Sequence, residues 1–328
     1  MTDCAMNQLV SYCVKCFNQE RYIRKALESA FAQTYEPLEI LICDDCSADR
    51  SDEVIKAAIA DYQAKGGRHK VRYYRNEKNL GNLGNWQRMC ELAEGELLVK
   101  ADGDDYSAPE RTERLMDAWE KDGKQAVYLF SDGWAVDECG CKLWDMNLHS
   151  GYCIGAFEAY ARSCCTAFGP TSAELGHEAA DDVVYIERGK MLGTGLHVPE
   201  RLVYYRQGSG ETSCGLNYTR MMTRGFRFMA ASYTQSLIDL EHIRGKFDSL
   251  KYEQFHSRFV RMVKHHEALL NLWLGKTLAV RMSGYKTAVA MGATSKALGS
   301  FLLLPKWINK PILNFVFSFN YWRKCFFN

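Results

Sequence analysis

Short apolar runs alternate with amphipathic segments from Leu9 to about Phe130. The runs predict strands at residues 9–14, 38–43, 71–74 and 96–100. Apolar residues recur at helical spacing between them, over residues 21–33, 51–64 and 86–93. Strands and helices that alternate at this pitch predict an α/β fold with a mainly parallel sheet.

The pattern changes in the last third of the chain. Residues 142–199 are mixed in character, whereas residues 218–274 carry a long helical periodicity. We therefore predict an α/β domain over residues 1–215 and a helical region over residues 216–328.

Composition and charge exclude several classes of protein. The chain has 47% hydrophobic and 25% charged residues, typical of a globular protein. A net charge of +1 gives no general attraction for nucleic acid, so we expect no nucleic-acid partner. The polar N-terminus shows no signal peptide, and the 13 cysteines include several inside apolar runs, so we expect reduced thiols and a cytoplasmic location. The spacing of Cys139 and Cys141 does not match a zinc site.

Polar residues follow the predicted strands, where α/β sheets bind their ligands. The fourth strand ends on the acidic segment, defined as Asp102–Asp105. Two carboxylates at a spacing of two, such as Asp102 and Asp104, suit a hard cation such as Mg²⁺ or Mn²⁺, which also binds substrate phosphate oxygens. The alternative for such a segment by itself is a solvated acidic turn.

Five features in order resemble glycosyltransferase family 2, the inverting enzymes with the GT-A fold. The resemblance covers residues 8–215 and is closest to the enzymes of bacterial cell-surface polysaccharide synthesis. It rests on Phe17-Asn18 with Glu20, Asp44–Asp49, Asn79-Leu80-Gly81, Asn85-Trp86 with the helix that follows it, and Asp102–Asp105 with Pro109. The resemblance implies a three-layer GT-A domain with a mainly parallel sheet and a C-terminal helical extension.

The resemblance also assigns roles to individual residues. Asp104 and Asp102 would hold Mn²⁺ or Mg²⁺, and Asp102 would also contact the ribose. Asp45 would accept a hydrogen bond from the N–H of the base, which favours uracil and therefore a UDP-sugar donor. The other nucleotide-binding positions that it implies are Cys16, Phe17, Asn18, Glu20, Asn79, Asn85 and Arg206. Lys15 departs from the family, which usually has a small residue or proline there.

Inverting transfer needs a base that takes the proton of the acceptor hydroxyl. The family pattern is Glu-Asp followed six residues later by Arg, and here Asp181 replaces the Glu, Asp182 is the base and Arg188 is the Arg. An adjacent acid at Asp181 would raise the pKa of Asp182, which suits a base near neutral pH. The alternative is an acidic first turn stabilised by the helix dipole. Gly208 stands where many members have a histidine, so Arg206 or a backbone amide would contact the diphosphate instead.

The C-terminal tail, residues 297–328, interleaves aromatic residues with lysine and arginine. Two prolines and two lysines interrupt its apolar run, which stays short of the ~18 residues that a spanning helix requires. We expect the tail to lie on the cytoplasmic face of a membrane, with a lipid-diphosphate-linked oligosaccharide or another glycan as acceptor. The alternatives are a tail packed on the catalytic domain or a dimer interface.

Other functions fit the sequence less well. A nucleotidyltransferase would need a glycine-rich phosphate loop after the first strand, and residues 15–21 contain no glycine. An NAD-dependent oxidoreductase fails for the same reason. A non-catalytic nucleotide- or glycan-binding relative would have no need to keep Asp182 at its spacing.

Overall fold

The computed structural model describes residues 8–148, 155–209 and 218–292, together with Leu303. The chain divides into two compact units, of which the first comprises Met1–His177 and Asp181–Gln207. The second comprises Glu178–Ala180 and Gly208–Asn328. The expected domain boundary after residue 215 stays a prediction, because residues 210–217 lie outside the described residues.

The first unit alternates strands and helices in its N-terminal half and has a strand-rich second half. Its strands are β1 Val10–Cys16, β2 Leu38–Asp44, β3 Lys70–Arg75, β4 Leu97–Asp102, β5 Tyr106–Ser107, β6 Ala126–Val136, β7 Lys142–Met146, β8 Glu158–Ala161 and β9 Thr194–Arg206. Its helices are α1 Ile23–Phe31, α2 Ser51–Ala64, α3 Gly81–Leu92, α4 Arg111–Lys121, α5 Arg162–Thr166 and α6 Asp181–Leu192.

The strands form one sheet in the order β3-β2-β1-β4-β8-β6-β9-β5, and β7 pairs with β6. The pairs β3–β2, β2–β1 and β1–β4 are parallel, as the alternating pattern predicts. Beyond β4 the sheet is mixed, since β8 runs antiparallel to both β4 and β6 while β9 is parallel to β6. The carboxyl ends of β1, β2 and β4 therefore lie side by side.

The burial of the strands explains why they were visible in the sequence. All seven residues of β1 and of β2 are buried, whereas β3 lies at the edge of the sheet and is partly exposed. The predicted start of the helix at residue 86 is corrected by the structure, since α3 begins earlier, at Gly81. Gly81 has a φ of 77°, which glycine adopts without strain.

The second unit is helical over its described residues, as expected. It contains α7 Tyr218–His242, α8 Ser249–Leu274 and α9 Leu278–Ala290. Asp248 and Thr277 cap the first turns of α8 and α9 with their side chains. No helix among the described residues has the length and apolarity to span a membrane. Apart from Leu303, the tail at residues 297–328 lies outside the described residues.

Candidate active site

The acidic segment lies at the end of β4, where the chain passes close to its neighbours. A side chain at Gly103 would approach the carbonyl oxygen of Lys15 to 2.8 Å, so only glycine fits there. Asp104 and Asp105 are both buried. Asp105 accepts a hydrogen bond from the main-chain N–H of Arg206 at 2.7 Å, which gives it a supporting role. Burial raises the pKa of Asp105 well above its ordinary value, and the neighbouring Asp104 adds to the effect.

Lys15, at the end of β1, is the residue that connects the acidic segment to the rest of the site. Its Nζ lies 3.1 Å from Oδ1 of Asp102 and 2.5 Å from Oδ2 of Asp181. It also donates a hydrogen bond to Oδ1 of Asn82 at 2.7 Å. The residue is 7% exposed, so these three contacts replace water around the ammonium group.

The two aspartates that begin α6 have different surroundings. Asp181 is buried and pairs with Lys100 at 2.8 Å as well as with Lys15, and Asn82 donates to its Oδ1 at 2.8 Å. Burial alone would raise the pKa of Asp181, but Lys100 and Lys15 lower it to about 2. Asp181 is therefore a fixed anion, not a group that exchanges protons near neutral pH.

The surroundings of Asp182, the predicted base, differ from those of Asp181. It is more exposed than Asp181, and its Oδ1 accepts a hydrogen bond from the N–H of Val183 at 2.8 Å. Burial raises the pKa of Asp182, the charge of Lys100 lowers it, and the charge of Asp181 raises it. The direction agrees with the expectation that the adjacent acid raises the pKa. Asp182 stays our candidate base.

Asp45 is held by the chain that follows β3. Its Oδ1 accepts hydrogen bonds from Nδ2 of Asn76 at 2.9 Å and from the N–H of Leu80 at 2.8 Å. Its Oδ2 accepts from the N–H of Gly81 at 3.0 Å. Burial raises the pKa of Asp45, and these hydrogen bonds oppose the rise. The carboxylate thus fixes the turn that starts α3.

The other motif residues near Asp45 also make contacts within the protein. Oδ1 of Asn79 accepts from the N–H of Gly81 at 2.8 Å, and Oδ1 of Asn85 accepts from Asn76 at 3.0 Å. Cys16 is buried and Phe17 is partly exposed. The nucleotide-binding roles of these residues stay predictions.

Asn18 and Glu20 connect the loop after β1 to the loop after β2. Oδ1 of Asn18 accepts from the N–H of Ala48 at 2.8 Å, and Asn18 has a φ of 52°, a conformation that asparagine tolerates. Oε2 of Glu20 accepts from the N–H of Arg50 at 2.9 Å. These contacts give both residues a structural role in addition to the binding role that the resemblance implies.

Arg206 lies at the end of β9 and faces main-chain carbonyl groups. Its Nε donates to the carbonyl oxygen of Asp104 at 3.0 Å, and its Nη1 donates to those of Asp137 and Glu138. The guanidinium group therefore ties β9 to the acidic segment and to the turn after β6. These contacts explain why the residue is buried, and its predicted contact with the diphosphate stays a prediction.

Two charged residues of the site were not among the predicted ones. Lys100 is 1% exposed within β4, and its Nζ lies 3.9 Å from Oε2 of Glu158 on β8. Burial raises the pKa of Glu158 to about 8, although Lys100 lowers it. The lysine inside the apolar run at residues 96–100 indicates that a buried anion lies close to it. The run does not show which residue supplies that anion.

The side chains of the acidic segment fit a divalent ion that is shared with a substrate. The carboxylates of Asp102 and Asp104 offer hard oxygen ligands at the end of β4. Among the described residues, no group of three or more histidine, cysteine, aspartate or glutamate side chains is arranged to hold a metal. One or two carboxylates suffice for Mg²⁺ or Mn²⁺ when phosphate oxygens and water complete the shell. The site thus fits an ion that arrives with a phosphate-bearing ligand.

Comparison with solved structures identifies the fold. Residues 1–349 of TarS from S. aureus match 98% of this chain and 93% of that chain, with a TM-score of 0.59 and 13% identity. The mannosyltransferase PcManGT from Pyrobaculum calidifontis matches 98% of this chain and 89% of that chain, with a TM-score of 0.54 and 16% identity. The expected GT-A fold is thereby confirmed.

Comparison of sequences finds similarity to one family over the N-terminal part of the chain. The model of glycosyl transferase family 2 matches residues 11–138. EpsH of Bacillus subtilis, which is named as a glycosyltransferase, is 36% identical over 107 residues, 33% of this chain and 29% of the relative. Chondroitin synthase of Escherichia coli is 30% identical over 115 residues, 35% of this chain and 16% of the relative. The N-terminal part of the chain is therefore similar to glycosyltransferase family 2.

The matched segments are only part of the relatives. They span 29–44% of the length of the first three curated proteins that the chain matches. The family model covers the strands and loops that carry Asp45 and the acidic segment, and it ends before Asp182.

Proposed function

We propose that the protein transfers a sugar from a nucleotide diphosphate donor to an acceptor hydroxyl, with inversion and with the help of a divalent ion. The observation that carries the proposal is the position of Lys15. Its ammonium group contacts both Asp102, on the proposed donor side, and Asp181, next to the proposed base. Residues far apart in the sequence therefore meet in one site, which a module that only binds nucleotides does not need.

The proposed chemistry divides between the two sides of this site. Asp182 would accept the proton of the acceptor hydroxyl. The oxygen of that hydroxyl would attack the anomeric carbon while the bond between this carbon and the diphosphate breaks. Asp102 and Asp104 would hold Mn²⁺ or Mg²⁺, which when bound neutralises the charge that develops on the departing diphosphate. Asp181 stays ionised beside Lys15 and Lys100 and keeps the start of α6 in place.

The contacts of Asp45 support a uridine donor. An ionised carboxylate offers about four acceptor positions, and Asn76, Leu80 and Gly81 occupy three of them. One remaining position matches the single imide N–H of uracil, whereas guanine presents two neighbouring donors. The solved neighbours include both kinds, since TarS was crystallised with UDP-GlcNAc and PcManGT with GDP-Man and Mn²⁺.

We also propose a glycan or lipid-diphosphate-linked acceptor at the cytoplasmic face of a membrane. The support is the aromatic and basic composition of residues 297–328 and the exposed basic residues of α8, such as Arg261 and Lys264. Flotation with anionic vesicles, using the full chain and a chain that ends before Ala297, tests the idea. Loss of flotation on truncation is the expected result, and equal flotation of the two chains would contradict it.

A screen of nucleotide sugars tests the proposed reaction. The full chain is incubated with UDP- and GDP-sugars and Mn²⁺, and the released nucleoside diphosphate is measured with and without glycan acceptors. Release of UDP that disappears in EDTA is the expected result. Binding of UDP-sugars without any release in the presence of a wide acceptor set would favour the non-catalytic alternative. Pyrophosphate release from UTP and a sugar phosphate would favour a nucleotidyltransferase.

A further inference from the structure

Three partners of the protein surround the ammonium group of Lys15. A lysine ammonium group has three donors. Here three acceptors surround it: Oδ1 of Asn82 at 2.7 Å, Oδ2 of Asp181 at 2.5 Å and Oδ1 of Asp102 at 3.1 Å. Two hydrogen bonds and one ion pair thus hold the group within the protein, which argues that it organises the site instead of binding the donor directly.

The three partners of Lys15 come from three separate elements. Asn82 lies in the first turn of α3, Asp102 is the last residue of β4, and Asp181 is the first residue of α6. The ammonium group therefore joins the strand that carries the proposed metal ligands to the helix that carries the proposed base. Lys15 and Asp181 are also positions where the sequence departs from the family pattern, and in the structure they contact each other.

The position of Lys15 also has a consequence for the metal. Asp102 is the more exposed partner, with 26% of its side chain accessible, while Asp181 is 3% accessible. A divalent ion that binds Asp102 would lie close to a fixed positive charge and be repelled by it. The ion pair with Lys15 also makes the carboxylate of Asp102 less available to the ion.

We propose that Lys15 is a positioning residue that occupies Asp102 in the free protein and competes with a divalent ion for that carboxylate. The protein then binds the ion weakly by itself, and the phosphate oxygens of the donor supply the missing ligands. The same ammonium group holds Asp181, and through it the first turn of α6, in register with the end of β4. The inference rests on the proposed metal-assisted transfer and assigns to Lys15 the control of how tightly the ion binds.

Binding of Mn²⁺ alone, without nucleotide, tests the competition. Calorimetry or electron paramagnetic resonance compares the full-length wild-type protein with Lys15→Met, whose unbranched side chain is one atom shorter and carries no charge. We expect Lys15→Met to bind Mn²⁺ at least about tenfold more tightly, a difference equivalent to 1.4 kcal/mol. Lys15→Gln should shift affinity in the same direction, which guards against a folding defect of one variant.

A surface lysine provides the matched control. Lys56 is exposed and pairs with Asp52 on α2, away from the acidic segment. Lys56→Met should bind Mn²⁺ like the wild type. Equal or weaker Mn²⁺ binding by both folded Lys15 variants would overturn the inference, including the case in which none of the proteins binds the ion.

Kinetics separate this role from a merely structural one. Lys15→Met should lower kcat more than it changes the KM for the donor, because the base loses its register while donor contacts remain. Lys15→Arg, which keeps the charge, should recover part of kcat. Unchanged kcat in Lys15→Met would also overturn the inference. If the wild type itself releases no nucleotide from any donor but Lys15→Met still gains Mn²⁺ affinity, the proposed function fails and the competition stands.

Discussion

The candidate site has two sides, the Asp45 side and the Lys15 side. Both lie at the ends of neighbouring parallel strands, but they are held by different interactions. On one side Asp45 accepts hydrogen bonds from neutral N–H groups of the turn before α3. On the other side Lys15 and Lys100 form ion pairs with Asp102 and Asp181. The Asp45 side depends on local turn geometry, whereas the Lys15 side depends on charges brought together from distant parts of the chain. The first kind of site tolerates charge changes elsewhere, and the second does not.

The largest effect that we expect on the Lys15 side comes from Asp182→Asn. Loss of the general base should lower kcat by about 10²–10⁴-fold, while the affinity for the donor stays within about threefold. Steady-state transfer rates and donor titration by calorimetry measure both quantities. Asp181→Asn is the matched comparison, because this variant keeps the carboxylate of Asp182 and removes the negative charge of Asp181.

The pH dependence of transfer provides a second readout for Asp182. Because its pKa is raised, the ionised base is lost as the pH falls through a range above that of an ordinary aspartate. The acid limb of kcat should therefore lie above about pH 4 in the wild type. Near-normal turnover of Asp182→Asn, or an acid limb that is identical in that variant, would place the base elsewhere.

On the Asp45 side the largest expected effect is on stability, from Gly81→Ala. The added carbon would lie 2.4 Å from the carbonyl oxygen of Gly176, and the φ of 77° disfavours alanine. We expect the free energy of unfolding to fall by about 3 kcal/mol, measured by urea denaturation. Gly66→Ala is the control, because Gly66 has a φ of 76° and open space around it. It should lose only roughly 1–2 kcal/mol, and equal losses would show that the close approach of Gly81 to Gly176 is unimportant.

The ion pairs of the Lys15 side should make stability depend on acid pH. The pKa of Asp181 is lowered to about 2 in the folded protein, against about 3.9 in an unfolded chain. Its contribution is therefore complete above about pH 4 and is lost as the pH falls from about 4 to about 2, a change of about 2 kcal/mol. Thermal unfolding of the wild type and Asp181→Asn between these pH values measures the difference. Asp61→Asn, at an exposed ion pair, is the control and should change the acid limb little. An acid limb of equal steepness in the wild type and Asp181→Asn would contradict the assignment.

The smallest expected effect is that of Asn18→Ala, on the Asp45 side. The variant loses the hydrogen bond to the N–H of Ala48 and should cost about 1 kcal/mol of stability. Asn18→Gly loses the same bond but accepts the φ of 52° without strain, so it should be the milder of the two. A large loss of UDP affinity in both variants, with unchanged stability, would instead make Asn18 a direct nucleotide contact.

Much of the fold could be predicted from the sequence, because strands such as β1 and β2 are buried along their whole length and therefore read as unbroken apolar runs. The region from Lys142 to Pro199 could not be assigned, since the exposed β7 and the short β8 carry little periodicity. The start of α3 was misplaced because Gly81 and Asn82 are poor helix formers. Asp45 holds Gly81 in place, and Lys15 and Asp181 hold Asn82.

The candidate site was predictable only as far as its residues lie in short motifs. Asp45, Asp102 and Asp104 follow strands, so the order of the strands in the sheet brings them to one edge. The contact of Lys15 with Asp181 joins positions 166 residues apart, and no local pattern encodes it. The main-chain partners of Arg206 likewise could not be predicted from its position in the sequence, and its contact with the diphosphate stays a prediction.

The most direct test of the central claim is the affinity for UDP with and without a divalent ion. Calorimetry on the full-length wild type in Mn²⁺ and in EDTA, repeated with Asp104→Ala, shows whether the acidic segment holds the diphosphate through a metal. Our account predicts binding at least about tenfold tighter in Mn²⁺, equivalent to 1.4 kcal/mol, and no such difference in Asp104→Ala. Equal affinity of the wild type in Mn²⁺ and in EDTA would contradict it.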